Sequence, residues 1–190
     1  MSAPLDTSLL QRLPVPGPWL STQLRLAAVV CPIVQYAGED HLLFVARPEG
    51  QRQHAGQLGF PGGMRHGDED PVACALRECH EEIGAPPSAI TVLGMLPPRE
   101  SSSGILVHCI VGRLAPLQLA PDAREVVRVL RVPLRELRDD ARWHERTPPK
   151  AATGYQPRTS PHFEFTSEAG GELLWGLTAR FVRDLAARLV

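Results

Sequence analysis

The chain has 190 residues, 43% of them hydrophobic and 22% charged, and a formal net charge of -1. That length suits one domain, residues 1–190, with a core large enough to need no disulfide staples. The near-neutral charge excludes wholesale electrostatic binding to nucleic acid. No apolar run reaches the length of a membrane span.

A short helix is expected near Ser8–Leu13, followed by a stiff lead-in at Pro14, Pro16 and Pro18. Met1–Trp19 has too short an apolar run for a signal peptide, so the expected location is the cytoplasm. Leu24–Gln35 reads as a strand rich in valine and isoleucine, with Pro32 suggesting an edge or a bulge. Leu42–Ala46 is a second, short strand. Pro48–Met64 then reads as a long loop dense in Gly, Gln and Arg, a length usually reserved for function.

Asp70-Pro71 is a helix start, an N-cap acid before proline at the first helical position. The helix should end at Ile83, with Gly84 as the left-handed cap and Pro86 barring continuation. Strands are predicted at Ile90–Leu96, Ile105–Leu114 and Glu125–Val132, and a short helix at Pro133–Arg138. Residues 140–160 read as an irregular loop and His162–Thr166 as another strand. The last element is a helix over Glu172–Leu189, on the recurrence of Leu173, Leu177, Phe181 and Leu185. Strands and helices mix without strict βαβ alternation, so the fold class is α/β (α+β), a mixed sheet with helices packed on it.

Cys31, Cys74, Cys79 and Cys109 form no Cys-x-x-Cys pair and suit a reduced setting. Nearly all the positive charge is arginine, Lys150 being the only lysine. Arginine suits bidentate phosphate contacts.

Chemistry concentrates on the 71–83 helix. Val72, Leu76, Cys79 and Ile83 share one side, while Glu78, Glu81 and Glu82 cluster nearly opposite. Adjacent like charges repel, and Arg77 is placed to reach Glu81 one turn on. A hard divalent cation would relieve the repulsion further, since Mg²⁺ and Mn²⁺ prefer carboxylate oxygens. On its own, such a run would be a solvated acidic face. The preceding Gly59-Phe60-Pro61-Gly62-Gly63 adds a glycine-rich turn that admits close approach of a ligand, and Glu69 adds a fourth carboxylate.

Gly63, five residues, Glu69, seven residues, then Arg77-Glu78-Cys79-His80-Glu81-Glu82-Ile83-Gly84-Ala85 resembles the Nudix box, residues 63–85. The fixed positions would coincide by chance on the order of 10⁻⁸ per starting point. Cys79 and Ala85 stand where larger aliphatics are usual. The resemblance implies a Nudix fold, a mixed sheet sandwiched between helices, and metal-dependent hydrolysis of a pyrophosphate bond. It implies Glu78, Glu81 and Glu82 as ligands of Mg²⁺ or Mn²⁺, with the Gly63 carbonyl as a further one. It also implies Glu69 and Arg77 as the pair orienting them, and Glu81 or Glu82 as the general base. Glu100 and Glu125 are candidates for that base outside the box.

The segment before the box, Leu43-Phe44-Val45-Ala46-Arg47, Arg52, His54-Ala55-Gly56-Gln57 and Phe60-Pro61-Gly62-Gly63, is similar to the signature of coenzyme A pyrophosphatases in that superfamily. Val45 and Pro48 depart from it. Ser103-Gly104 and Trp175-Gly176-Leu177-Thr178-Ala179 also look like that branch. The implied substrate-binding residues are Arg47, Arg52, His54 and Gln57, and the implied products are 3′,5′-ADP and 4′-phosphopantetheine. The alternatives are a Nudix hydrolase of ADP-ribose or another nucleotide derivative, and a non-catalytic nucleotide-binding module. The sequence leaves the oligomeric state open, and the expected partner is a small-molecule substrate.

Overall fold

A computed structural model describes residues 13–48, 58–146, 159–165 and 173–189. The predicted helix at 8–13 therefore falls almost wholly outside the described residues, as do Arg52, His54 and Gln57. Leu13 itself is buried and not helical.

The main sheet is built on β1 (Arg25–Tyr36), whose residues alternate between two buried faces. Ala27, Val29, Cys31 and Ile33 face one core, and Ala28, Val30 and Val34 the other. Burial on both sides explains the near-continuous apolar run. On one side β1 pairs parallel with β6 (Ile105–Leu114) over ten residues. On the other it pairs antiparallel first with β4 (Gly62–Met64), at Ala27–Val29, and then with β2 (Glu39–Ala46), at Ile33–Tyr36. Pro32 is thus in a central strand rather than at an edge, and lies where β1 passes from one partner to the other. β3 (Leu58–Gly59) and β7 (Arg128–Pro133) add to β2, and β5 (Ile90–Glu100) adds to β6.

Helix α1 (Pro71–Ile83) covers one face of this sheet. The opposite face is covered by α2 (Leu134–Leu137), α3 (Gly176–Ala186) and a small antiparallel sheet of β8 (Trp143–Arg146), β9 (Ser160–Glu164) and β10 (Leu173–Leu174). The result is a mixed sheet between helices. Arg99 ties α3 to β5 through two hydrogen bonds to Asp184, at 2.6 and 2.8 Å. Among the described residues, no helix is long and apolar enough to cross a membrane.

Several predicted boundaries move. The 48–64 loop contains β3 and β4, short pairings that no local pattern announces. β7 starts at Arg128, because Asp122 closes a turn by accepting from the N–H groups of Glu125 and Val126. Trp143–Arg146 is a strand, not loop, because β9 pairs with it. β9 starts at Ser160, two residues before the predicted strand. The last helix starts at Gly176. Leu173, the first residue of the predicted recurrence, belongs with Leu174 to β10 instead, and Gly176 takes φ +66°, which lets the chain turn from strand into helix.

Candidate active site

Helix α1 is fixed at both ends. Asp70 accepts from the Ala73 N–H at 2.8 Å, and Gly84, at φ +71°, donates to the His80 carbonyl. The last carbonyls are met from outside, by the N–H of Ala120 on Ile83 and of Asp122 on Glu82. A helix so capped holds its side chains in register with the turn between β3 and β4.

That turn receives the box glutamates. The sequence pattern places them opposite the apolar side, yet Glu82 is 1% exposed and Glu78 only 9%. The apolar side of α1 faces the sheet, and on the acidic side Glu78 and Glu82 lie under the Gly62–Gly63 backbone while Glu81 stays exposed. Glu82 accepts from the Gly62 N–H at 3.1 Å and pairs with Arg47 Nη2 at 2.7 Å. The same Arg47 nitrogen donates to the Gly62 carbonyl at 3.1 Å. Burial pushes the Glu82 carboxyl up to about 7, against the opposing pull of Arg47. Glu78 lies against Gly63 so closely that a Cβ there would come within 2.4 Å of its carboxylate.

Arg77 organises the remaining acids. It donates from Nε and Nη2 to the two oxygens of Glu69 at 3.0 and 2.9 Å. Its Nη1 reaches Glu78 at 2.9 Å and Glu81 at 3.0 Å, and Nη2 also reaches the Met64 carbonyl. The Arg77 fork, helped by the His66 N–H, holds the Glu69 carboxyl down to about 2. The Glu81 side chain is 52% exposed.

Four carboxylates therefore share two guanidinium groups, and the surplus is negative. A surplus of hard oxygen donors beside the Gly63 backbone fits a hard divalent cation, and the Gly63 carbonyl itself accepts from Cys74 Sγ at 3.8 Å. The arginines nevertheless hold the three predicted ligands apart, Glu81 outward on Arg77 and Glu82 inward on Arg47. Among the described residues, no three acidic, His or Cys side chains converge on one point. Binding an ion would require these ion pairs to give way.

Above the turn opens a cavity of about 730 Å³, large enough for a nucleotide-sized ligand. Its walls include Arg47, Gly62, Gly63, Glu100, Ser101–Ser103, Ser160, Trp175 and, from the start of α3, Gly176, Leu177, Thr178 and Arg180. Of the two outside candidates for a base, Glu100 lines the cavity and Glu125 sits exposed in the 122–126 turn. Trp175 lines the cavity and stacks on His162 with ring centroids 6.0 Å apart. His80 is exposed. All four cysteines are buried, and burial drives the Cys74 and Cys79 thiols up to about 12, which leaves no nucleophilic thiolate there. Ser160 and Arg180 carry no motif and were not singled out from the sequence; only the tertiary fold brings them to this cavity.

The NUDIX domain family model matches residues 24–151. Curated relatives bear the name "Uncharacterized Nudix hydrolase NudL". The one from Photorhabdus laumondii is 38% identical over 180 residues, covering 94% of this chain and 92% of its own. The one from Escherichia coli (strain K12 / DH10B) is 36% identical over 167 residues, covering 87% and 83%. Among solved structures, a MutT/nudix family protein from Enterococcus faecalis superposes with a TM-score of 0.58 at 14% identity, covering 88% of this chain and 63% of that one. A C. elegans Ap4A hydrolase in a binary complex gives 0.51 at 19% identity, covering 57% and 80%. The two structures speak for the fold alone.

Proposed function

The chain belongs to the NUDIX family and is a Nudix hydrolase, and we propose that its substrate is coenzyme A or a CoA derivative, cut at the pyrophosphate to 3′,5′-ADP and 4′-phosphopantetheine. The observation that carries this reading is the cavity of about 730 Å³ lined by Arg47, Phe60, Gly62 and Gly63, described residues of the segment whose sequence resembles the CoA-type signature. A bare pyrophosphate would need far less room, whereas a nucleotide joined to a long second arm fills such a space.

Glu78, Glu81, Glu82 and the Gly63 carbonyl are the proposed holders of Mg²⁺ or Mn²⁺, ions of the kind that Nudix hydrolases generally use. When bound, such an ion neutralises pyrophosphate oxygens and makes water a better nucleophile. The chain's own contribution is positional. Arg77 fixes Glu69, Glu78 and Glu81 from one guanidinium, and Arg47 fixes Glu82 and the turn. Glu81, whose side chain is exposed, or Glu82, buried against the Gly62 N–H, accepts the proton of the attacking water. The water oxygen joins one phosphorus, and the other phosphate leaves with the bridging oxygen. Arg52, His54 and Gln57 remain proposed substrate contacts on sequence grounds alone.

The test is hydrolysis of CoA, 3′-dephospho-CoA and ADP-ribose with Mg²⁺ and with Mn²⁺, products separated by chromatography. CoA should be cleaved fastest. Faster turnover of ADP-ribose would replace the substrate and leave the metal chemistry in place. No turnover of any of them would favour a non-catalytic binding module.

A further inference from the structure

Ser160 stands at the start of β9 with 4% of its surface exposed, and among the described residues its Oγ has no hydrogen-bond partner. A buried hydroxyl left unpaired costs about 1–3 kcal/mol, so native folds rarely keep one without a reason. Ser160 lines the cavity above the Gly62–Gly63 turn. The first residues of the eleven-residue α3, Gly176 to Thr178, line it as well. Trp175 at the N-cap of α3 gives no side-chain hydrogen bond to the helix. The opening N–H groups of α3 therefore carry the partial positive charge of a helix start with no side-chain acceptor at the cap.

Arg180, one turn further along α3, lines the same wall. It donates from Nη2 to the neutral carbonyl of Thr159, the residue before Ser160, at 2.8 Å. That bond aligns the guanidinium beside Ser160 without neutralising its charge. Arg47, the other cation of the cavity wall, is matched by Glu82 at 2.7 Å. An anionic group elsewhere on the substrate would thus meet Arg180 as the cation without a carboxylate among the described residues.

We propose that Ser160, Arg180 and the N-terminal turn of α3 form a second phosphate subsite, which takes a phosphomonoester on the nucleoside half of the substrate, remote from the bond that is cut. Helix N–H groups, a hydroxyl and a guanidinium are all donors suited to phosphate oxygens. Identifying that group as the 3′-phosphate rests on the CoA reading above; the subsite itself rests on the donors.

The decisive experiment measures binding of adenosine 3′,5′-bisphosphate and of 5′-AMP by calorimetry, in Mg²⁺, to the full chain and to Arg180→Gln and Ser160→Ala. The bisphosphate should bind about tenfold more tightly than 5′-AMP, the scale of one charge-assisted contact. That advantage should shrink severalfold in each variant while 5′-AMP binding stays unchanged. In addition, Ser160→Ala without ligand should be as stable as the parent or more so, since it removes an unpaired hydroxyl. Equal binding of the two nucleotides, or an advantage that survives in both variants, overturns the subsite. The readout needs no turnover. A chain that prefers the bisphosphate yet leaves CoA intact therefore upholds the subsite and refutes the CoA reading, and the converse result separates them equally.

Discussion

Arg47, just after β2, and Glu82, in the last turn of α1, are joined by a 2.7 Å ion pair in which the Glu82 side chain is almost wholly buried and the Arg47 side chain is 22% exposed. With the Gly62 N–H and carbonyl, the pair clamps the helix to the glycine turn. Removing one partner of a buried pair strands the other charge. Arg47→Ala should therefore cost about 3 kcal/mol in urea denaturation, the low end of the range because Arg47 keeps some water contact. Adding Glu82→Gln should restore a good part of that loss. A single-variant cost below about 1 kcal/mol would mean that the clamp contributes no more than a surface pair.

The two glycines of the turn make separable predictions. At Gly62, φ is +156° and a Cβ would lie 2.4 Å from the Ala28 carbonyl oxygen, so backbone itself is in the way. Gly62→Ala should destabilise the fold by about 2–4 kcal/mol from overpacking and strain together. At Gly63 the obstacle is the Glu78 carboxylate, the end of a side chain that can move. Gly63→Ala should leave thermal stability nearly intact while kcat falls roughly 10²-fold, the scale of an ångström's misplacement. Similar stability losses for the two variants would contradict this division of roles.

Helix α1 was readable to the residue, because Asp70, Pro71 and Gly84 are local signals whose meaning does not depend on the rest of the chain. The site was readable as a list of residues but not as an arrangement. Arg47 and Glu82 are 35 positions apart, and nothing in either segment announces that they pair. The burial of Glu78 and Glu82 was equally hidden. Helical periodicity separates the acidic from the apolar side, yet a second cover, the glycine turn, encloses these two and leaves Glu81 exposed. Strands β8 and β10 were missed for the same reason: short strands in irregular or helical-looking sequence acquire their identity from β9.

Arg77 serves Glu69, Glu78 and Glu81 at once through a planar fork. Lysine keeps the charge but has no such fork. Arg77→Lys should remain folded and lose roughly 10- to 100-fold in activity, with the Mg²⁺ concentration for half-maximal rate rising by a similar factor, as for other residues that position metal ligands. Metal titrations of the rate read this directly. An unchanged Mg²⁺ requirement with an unchanged kcat would show that charge alone suffices there.

His108, on β6, is fully buried with its ring edge-on to Trp19 at 4.9 Å, and among the described residues neither ring nitrogen has a hydrogen-bond partner. Burial lowers its pKa below the ordinary 6.5, so the folded protein holds the imidazole neutral. The unfolded chain then binds a proton that the folded one refuses, and stability should fall as pH drops through about 6.5. The slope per site can reach about 1.4 kcal/mol per pH unit. Glu82 acts in the opposite sense without a divalent ion. Its carboxyl is raised to about 7 from 4.5, so folding binds its proton and gains stability as pH falls across that interval. Whole-protein stability against pH therefore mixes two opposed contributions, and the informative quantity is the difference between the parent and His108→Leu, in which Glu82 cancels. That difference, from urea denaturation without metal, should move in favour of the leucine variant as pH goes from 7.5 to 5.5. At pH 7.5 the variant should already match or exceed the parent, since it removes two unpaired polar atoms. A difference that stays flat across this interval would show that His108 takes up its proton as readily in the fold as outside it.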